Sequence, residues 1–204
     1  MYDNKLFLMC LLSIACFASY GFQCNKSLGC SETLHNFELP INVAPKEETL
    51  STGDTLWFDI SASSTLVDIS TGRIVDWSNA SNLTSLMYFH KLSNANEFSI
   101  DAAVKFDLLP KKGTVVAYMN SSDAREIKFD EVDGRYKLLI GIVPKEKGTF
   151  RIAFSNAANV YRNGDQCSKS NFVLNFRNIN QHYHLSPTYQ GGNLVGGDYY
   201  FKVN

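Results

Sequence analysis

Charge is scarce in this 204-residue chain, where Asp, Glu, Lys and Arg make up 19% and the formal net charge is −1. Such a balance sets up no long-range field to attract nucleic acid or an anionic membrane. The short basic clusters, Lys111-Lys112 and Lys145-Glu146-Lys147, stand in turn-like surroundings. Helical stripes, heptads, internal repeats and low-complexity tails are missing too, which leaves no reading as a bundle, coiled coil or solenoid. There is no GxSxG, no phosphate-cradling GxxxxGK[ST] and no CxxC pair. The chain is therefore expected to be non-enzymatic, with no cofactor and no metal assigned.

Apolar runs of membrane-spanning length are also lacking. The longest, Leu6 to Ala18, falls short of the roughly 20 residues a helical span needs. Lys5 precedes it and Ser19-Tyr20-Gly21 follows, so residues 1–21 read as a signal peptide cut before Phe22. The mature chain is expected to be secreted or displayed at the cell surface. The alternative is a membrane-anchored lipoprotein, lipidated at Cys16 or Cys24, with no transmembrane helix in either case.

Cysteine is sparse once the leader is removed, leaving Cys24, Cys30 and Cys167. In an oxidising compartment three thiols allow one bridge and leave one over. A bridge between Cys30 and Cys167 is favoured, with Cys24 as the rival partner, because both ends lie beside strand-like sequence. Residues 22–32 form a Cys-containing segment ahead of a domain over 33–204. Asn-x-Ser/Thr occurs at Asn25, Asn79, Asn82 and Asn120, which would accept glycans in a eukaryotic secretory route.

What is present is alternation, in a composition 45% hydrophobic that suits a globular core and not a disordered tail. Between Arg135 and Ser155, Tyr136, Leu138, Ile140 and Ile142 recur at every second residue, and so do Phe150, Ile152 and Phe154. A period of two places each set on one face of a strand. Pro144-Lys-Glu-Lys-Gly148 separates two strands that should be central in a sheet. Asp133-Gly134 before them predicts a tight hairpin.

Similar alternation predicts strands over Thr33–Val43, Thr55–Ser61, Glu97–Leu108, Val115–Met119 and Glu126–Val132, and around Phe172–Phe176. Leu83–Leu92 is apolar on both faces. Pro110-Lys-Lys-Gly113 reads as a turn, Asn156–Lys169 as a polar loop, Tyr199–Val203 as an edge strand and the Gly pairs at 191–192 and 196–197 as a flexible link. Residues 62–82 read as a long loop or short edge strands around Leu66-Val67 and Ile74-Val75. The expected fold is all-β, a two-layer antiparallel β-sandwich, with a β-barrel as the alternative.

Recognition on a β scaffold concentrates in its loops, which makes Trp77 the first candidate for ligand contact and Trp57, opposite the inward face of its strand, the second. His182-Tyr183-His184 would point two imidazoles the same way on a strand, but no third ligand is legible. The segments Gly53-Asp-Thr-Leu-Trp-Phe58 and Gly148-Thr-Phe-Arg-Ile-Ala-Phe154 resemble those of exported immunoglobulin-like proteins of bacterial envelopes, over residues 33–204. That resemblance implies an immunoglobulin-like sandwich and transfers no functional residue. The expected role is a non-enzymatic binding or adhesion module for a surface protein or glycan. A structural envelope component or a carbohydrate-active protein is the alternative, and no oligomeric state is legible.

Overall fold

In a computed structural model of the chain, which describes residues 31–93, 102–119, 121–177, 179–187 and 197–204, the strongest alternation becomes β13 (Arg135–Pro144) and β14 (Gly148–Phe154). Tyr136, Leu138, Ile140 and Ile142 are buried, as are Phe150, Ile152 and Phe154. Both strands are central, but each lies in a different sheet, so Pro144–Gly148 is a crossover and not a hairpin turn.

One sheet holds β2 (Asn42–Ala44), β4 (Leu56–Ser63) and β13, with β12 (Asp130–Val132) and β9 (Phe106–Lys112) along the far side of β13. A second runs in the order β10 (Thr114–Ala117), β11 (Ala124–Lys128), β8 (Thr84–Lys91), β14, β17 (Asp198–Val203) and β3 (Thr49–Leu50). The third is β1 (Thr33–Pro40), β16 (Asp165–Asn175), β15 (Ala157–Arg162) and β7 (Ala80–Ser81). A separate hairpin pairs β5 (Thr65–Val67) with β6 (Ile74–Asp76).

Aromatic rings carry the contact between layers. Phe58 on β4 meets Phe154 at 5.4 Å and Tyr199 at 6.1 Å between centroids, and Phe106 on β9 meets Phe150 at 5.0 Å. Tyr136 on β13 meets Phe172 of the third sheet at 5.8 Å. The first sheet thus packs on the other two, which makes the domain a β-sandwich, and the described residues form no closed barrel. Glu32–Asn204 form one compact unit. Among the described residues no helix is long and apolar enough to cross a membrane.

Two turns show why glycine stands where it does. Asp133 and Gly134 have φ of 53° and 66°, the doubly positive turn that matches the twist of a two-residue hairpin, here joining β12 to β13. Gly113, at φ 76°, ends β9 and begins β10, carrying the chain from one sheet to another. A Cβ there would sit 2.6 Å from both Leu138 Cδ1 and the Lys128 carbonyl oxygen.

Several expectations are corrected. The sandwich is not wholly antiparallel, because β1 runs parallel to β16 and β17 parallel to β3. Of the expected strand Glu97–Leu108, residues 97–101 lie outside the described residues, and Ala102–Lys105 is a 3-10 helix with Val104 54% exposed. Small buried Ala102 and Ala103 fit under a tight turn, so the regular strand begins only at Phe106. Pro110 lies within β9, which continues to Lys112, and the turn falls at Gly113. The expected strand Glu126–Val132 is divided between β11 and β12, which belong to different sheets.

The supposed loop 156–169 is largely the β15–β16 hairpin. A register irregularity between Ala157 and Val160, with Asn159 at φ 54°, interrupts its alternation. An inward serine, Ser170, hides it further and donates to the Val160 carbonyl. Tyr199–Val203 is not an edge strand, since β17 lies between β14 and the two-residue β3. The Gly191-Gly192 pair and Gly196 lie outside the described residues, as do the expected leader over residues 1–21, Cys16, Cys24 and Cys30.

Trp57 lies half-buried across from Gly141 of β13, where an added Cβ would come within 2.9 Å of the indole and 2.8 Å of Thr55 Cγ2. Replacing Gly141 by Val is expected to lower stability by about 1–3 kcal/mol through overpacking. Trp57→Ala in the Gly141→Val background should recover part of that loss, read as a non-additive double-mutant cycle in guanidinium denaturation.

Candidate functional site

The irregular stretch after β4 is built around one carboxylate. Asp68 directly follows β5 and is 1% exposed. Its Oδ1 accepts from the backbone N–H of Ser70 at 3.0 Å and of Asn36 at 3.3 Å. Its Oδ2 accepts from the Thr71 hydroxyl at 3.1 Å and lies 3.1 Å from His35 Nδ1. The Asp68 carbonyl accepts from Gly72 N at 2.7 Å, and Ile69 N donates to the Asn36 carbonyl at 2.8 Å. A short loop between β5 and β6 is thereby fixed both to itself and to β1. Burial opposes ionisation of Asp68, but the bonds from Ser70, His35, Asn36 and Thr71 outweigh it and hold the carboxyl down at about 2.

This rigid hairpin shows apolar side chains to solvent. Val67 and Ile69 are each 54% exposed and Ile74 is 74% exposed. Val67 and Ile74 are direct cross-strand partners, so two β-branched side chains form a shared ridge. A fixed apolar ridge is the kind of surface that recognises another macromolecule. A second exposed set, Val116, Tyr118 and Met119, lies on and just after β10, a terminal strand of its sheet.

Trp77, the residue singled out from the sequence as a ligand contact, is 1% exposed and belongs to the core. Its ring meets Phe37 at 5.5 Å and His35 at 5.2 Å, and the Arg162 guanidinium lies over it at 5.9 Å. Its carbonyl accepts a hydrogen bond from the Tyr136 hydroxyl. The indole is therefore roofed by Arg162 and is not itself a binding platform.

Beside that roof is a groove. A cavity of about 450 Å³ is lined by Ser81, Tyr161, Arg162, Asn163 and Gly164. A smaller one, about 180 Å³, shares Ser81 and Asn163 and continues past Asn82, Lys128, Glu131 and Tyr136. The walls are placed by pairing: Tyr161 lies opposite Ser81 and Arg162 opposite Ala80, while Asn163 N donates to the Asn79 carbonyl at 2.8 Å. Asn79 and Asn82 flank β7 at φ of 60° and 55°, left-handed conformations that Asn tolerates better than most residues. Glu131 accepts from Asn79 N at 2.9 Å and fixes the step from the other sheet.

Trp57, the other predicted contact, is half-buried over Gly141, away from this groove's lining. His182 and His184 do not share a strand; His182 caps, and His184 lies within, a 3-10 turn at Tyr183–Leu185. His184 Nε2 lies 2.8 Å from Glu48 Oε2. Burial keeps the His182 ring below its ordinary pKa. Among the described residues no three His, Cys, Asp or Glu side chains are arranged to hold a metal ion. Cys167 is half-buried near the start of β16. Tyr161 and Arg162 escaped the sequence reading, although Asn163-Gly164 is the hairpin signal that would have located them.

The folded pKa of Asp68, about 2, lies below its ordinary 3.8, so its contribution is complete above about pH 4 and is lost as pH falls through 2. Asp68→Asn should cost about 1–2 kcal/mol at pH 7. The same variant should flatten the acid limb of stability against pH between 4 and 2, measured by denaturant melts at stepped pH.

No family model matches the chain, and no curated protein matches it. Among solved structures the chain is similar to the human F-spondin reeler domain. Fragment 1 is 9% identical, covers 75% of this chain and 93% of its own, and has a TM-score of 0.37. Fragment 2 is 8% identical over 69% and 91%, with a TM-score of 0.35. The CupB6 tip adhesin from Pseudomonas aeruginosa is 12% identical over 72% of this chain and 43% of its own, at a TM-score of 0.23.

Proposed function

We propose that this is a non-enzymatic binding module, secreted or held at the cell surface, that presents the β5–β6 hairpin to a partner protein. The supporting observation is the solvent exposure of Val67, Ile69 and Ile74 on a loop that Asp68 holds rigid. A preordered apolar ridge spends little entropy when it is covered. Export through the leader at residues 1–21, with lipid anchoring as the alternative, belongs to the same proposal. So does kinship with exported immunoglobulin-like proteins.

The proposal includes a bridge between Cys30 and Cys167. Thr33 pairs with Ser168 in parallel register, and Glu32 Oε1 lies 2.8 Å from Lys169 Nζ. The chain entering β1 therefore runs alongside the residues that follow Cys167, and Cys30 is two residues from Glu32. Such a link would tie the leader-proximal segment to the sandwich.

Ile69→Ser combined with Ile74→Ser changes only exposed side chains and should leave the melting midpoint nearly unchanged. The variant should lose at least 10-fold in capture of the surface partner by in-situ cross-linking on the native envelope, whereas equal capture would reject the hairpin as the docking element. Peptide mapping of the non-reduced secreted protein should show Cys30 joined to Cys167. A Cys24-to-Cys30 peptide instead would reject that bridge.

A further inference from the structure

We propose a second site, separate from the hairpin: the groove between β7 and the β15–β16 hairpin binds a neutral, hydroxyl-rich ligand of the saccharide class. Size is the first support, since a cavity of about 450 Å³ lies in the range of specific small-ligand sites. Chemistry is the second. Tyr161, a residue 37% exposed to solvent, offers a ring on which the C–H face of a pyranose can lie. Ser81 and Asn163 add a hydroxyl and an amide beside it, able to donate and to accept as a sugar hydroxyl requires.

Arg162 is the third. Its guanidinium is positioned over Trp77 at 5.9 Å, and among the described residues no hydrogen bond or ion pair takes up its donors. Held by stacking and open along its edge, it can give two parallel N–H bonds to vicinal hydroxyls without losing much side-chain freedom.

Charge decides against an anionic ligand. The carboxyl of Asp76 is kept below its ordinary pKa by the Ser78 backbone N–H and by Arg162. That of Asp165 is lowered by the Cys167 and Ser168 N–H groups and by Arg162. The charged side chains lining the two cavities are Arg162, Lys128 and Glu131, and the Arg162 cation is already offset by Asp76 and Asp165, whose carboxyls its charge helps to lower. A carboxylate or phosphate would enter against that balance, whereas a neutral polyol would not.

The test uses the secreted domain on an array of neutral and acidic glycans, with hits titrated by saturation-transfer NMR. Wild type should bind neutral glycans, Tyr161→Ala and Arg162→Gln should each lose at least 10-fold, and Tyr161→Phe should keep the affinity. Melting curves of all three variants separate loss of binding from loss of fold. The Ile69→Ser/Ile74→Ser variant should bind glycans as wild type does, so failure of the hairpin reading and failure of this one are read independently. Three outcomes overturn the inference: a blank array, binding confined to acidic glycans, or well-folded Tyr161→Ala and Arg162→Gln variants that bind as tightly as wild type.

Discussion

Phe58 is the side chain on which the two layers close. It projects from β4 into a ring cluster that includes Phe154, Phe176 and Tyr199 at centroid distances of 5.4, 6.1 and 6.1 Å. Edge-on approaches dominate, as ring quadrupoles favour. Removing so much apolar surface from water is the principal favourable term in a fold that has almost no helix. These interlocked rings help to fix the positions of β4, β14 and β17 relative to one another.

From that core the order extends outward by layers. Phe37 and Phe172 continue the aromatic packing into the third sheet, Trp77 packs on Phe37, and Arg162 lies over Trp77. His35 joins the same cluster at Trp77, and its Nδ1 lies 3.1 Å from Asp68 Oδ2. The rings around Trp77, which belong to the same hydrophobic core as Phe58, therefore lie beneath both surfaces proposed for binding. The hairpin owes its rigidity to Asp68, and the groove owes its fixed cation to Trp77. A residue that was attractive as a contact serves instead as the support beneath one.

How legible each part was depended on how local its cause is. Alternation in Tyr136–Ile142 and Phe150–Phe154 showed inward faces that the structure buries throughout. Asp133-Gly134 marked its hairpin because a doubly positive turn needs such residues. By contrast, β15 and the first half of β16 were read as a loop because an irregular register and the inward Ser170 broke the pattern. Trp77 was read as a candidate ligand contact because a polar neighbourhood in sequence says nothing about Arg162, which arrives from 85 residues further along.

Period-two hydrophobicity, turn chemistry and the shortage of helical stripes were enough to determine an all-β fold, with a sandwich favoured over a barrel, from the amino-acid order alone, since each depends on neighbours a few residues apart. Which strands share a sheet, the parallel β1–β16 and β17–β3 pairs, and the meeting of Trp77 with Arg162 and of Asp68 with His35 were decided only in three dimensions. Those arrangements depend on packing between segments far apart in the chain, and no local pattern records which distant partner will fill a given space.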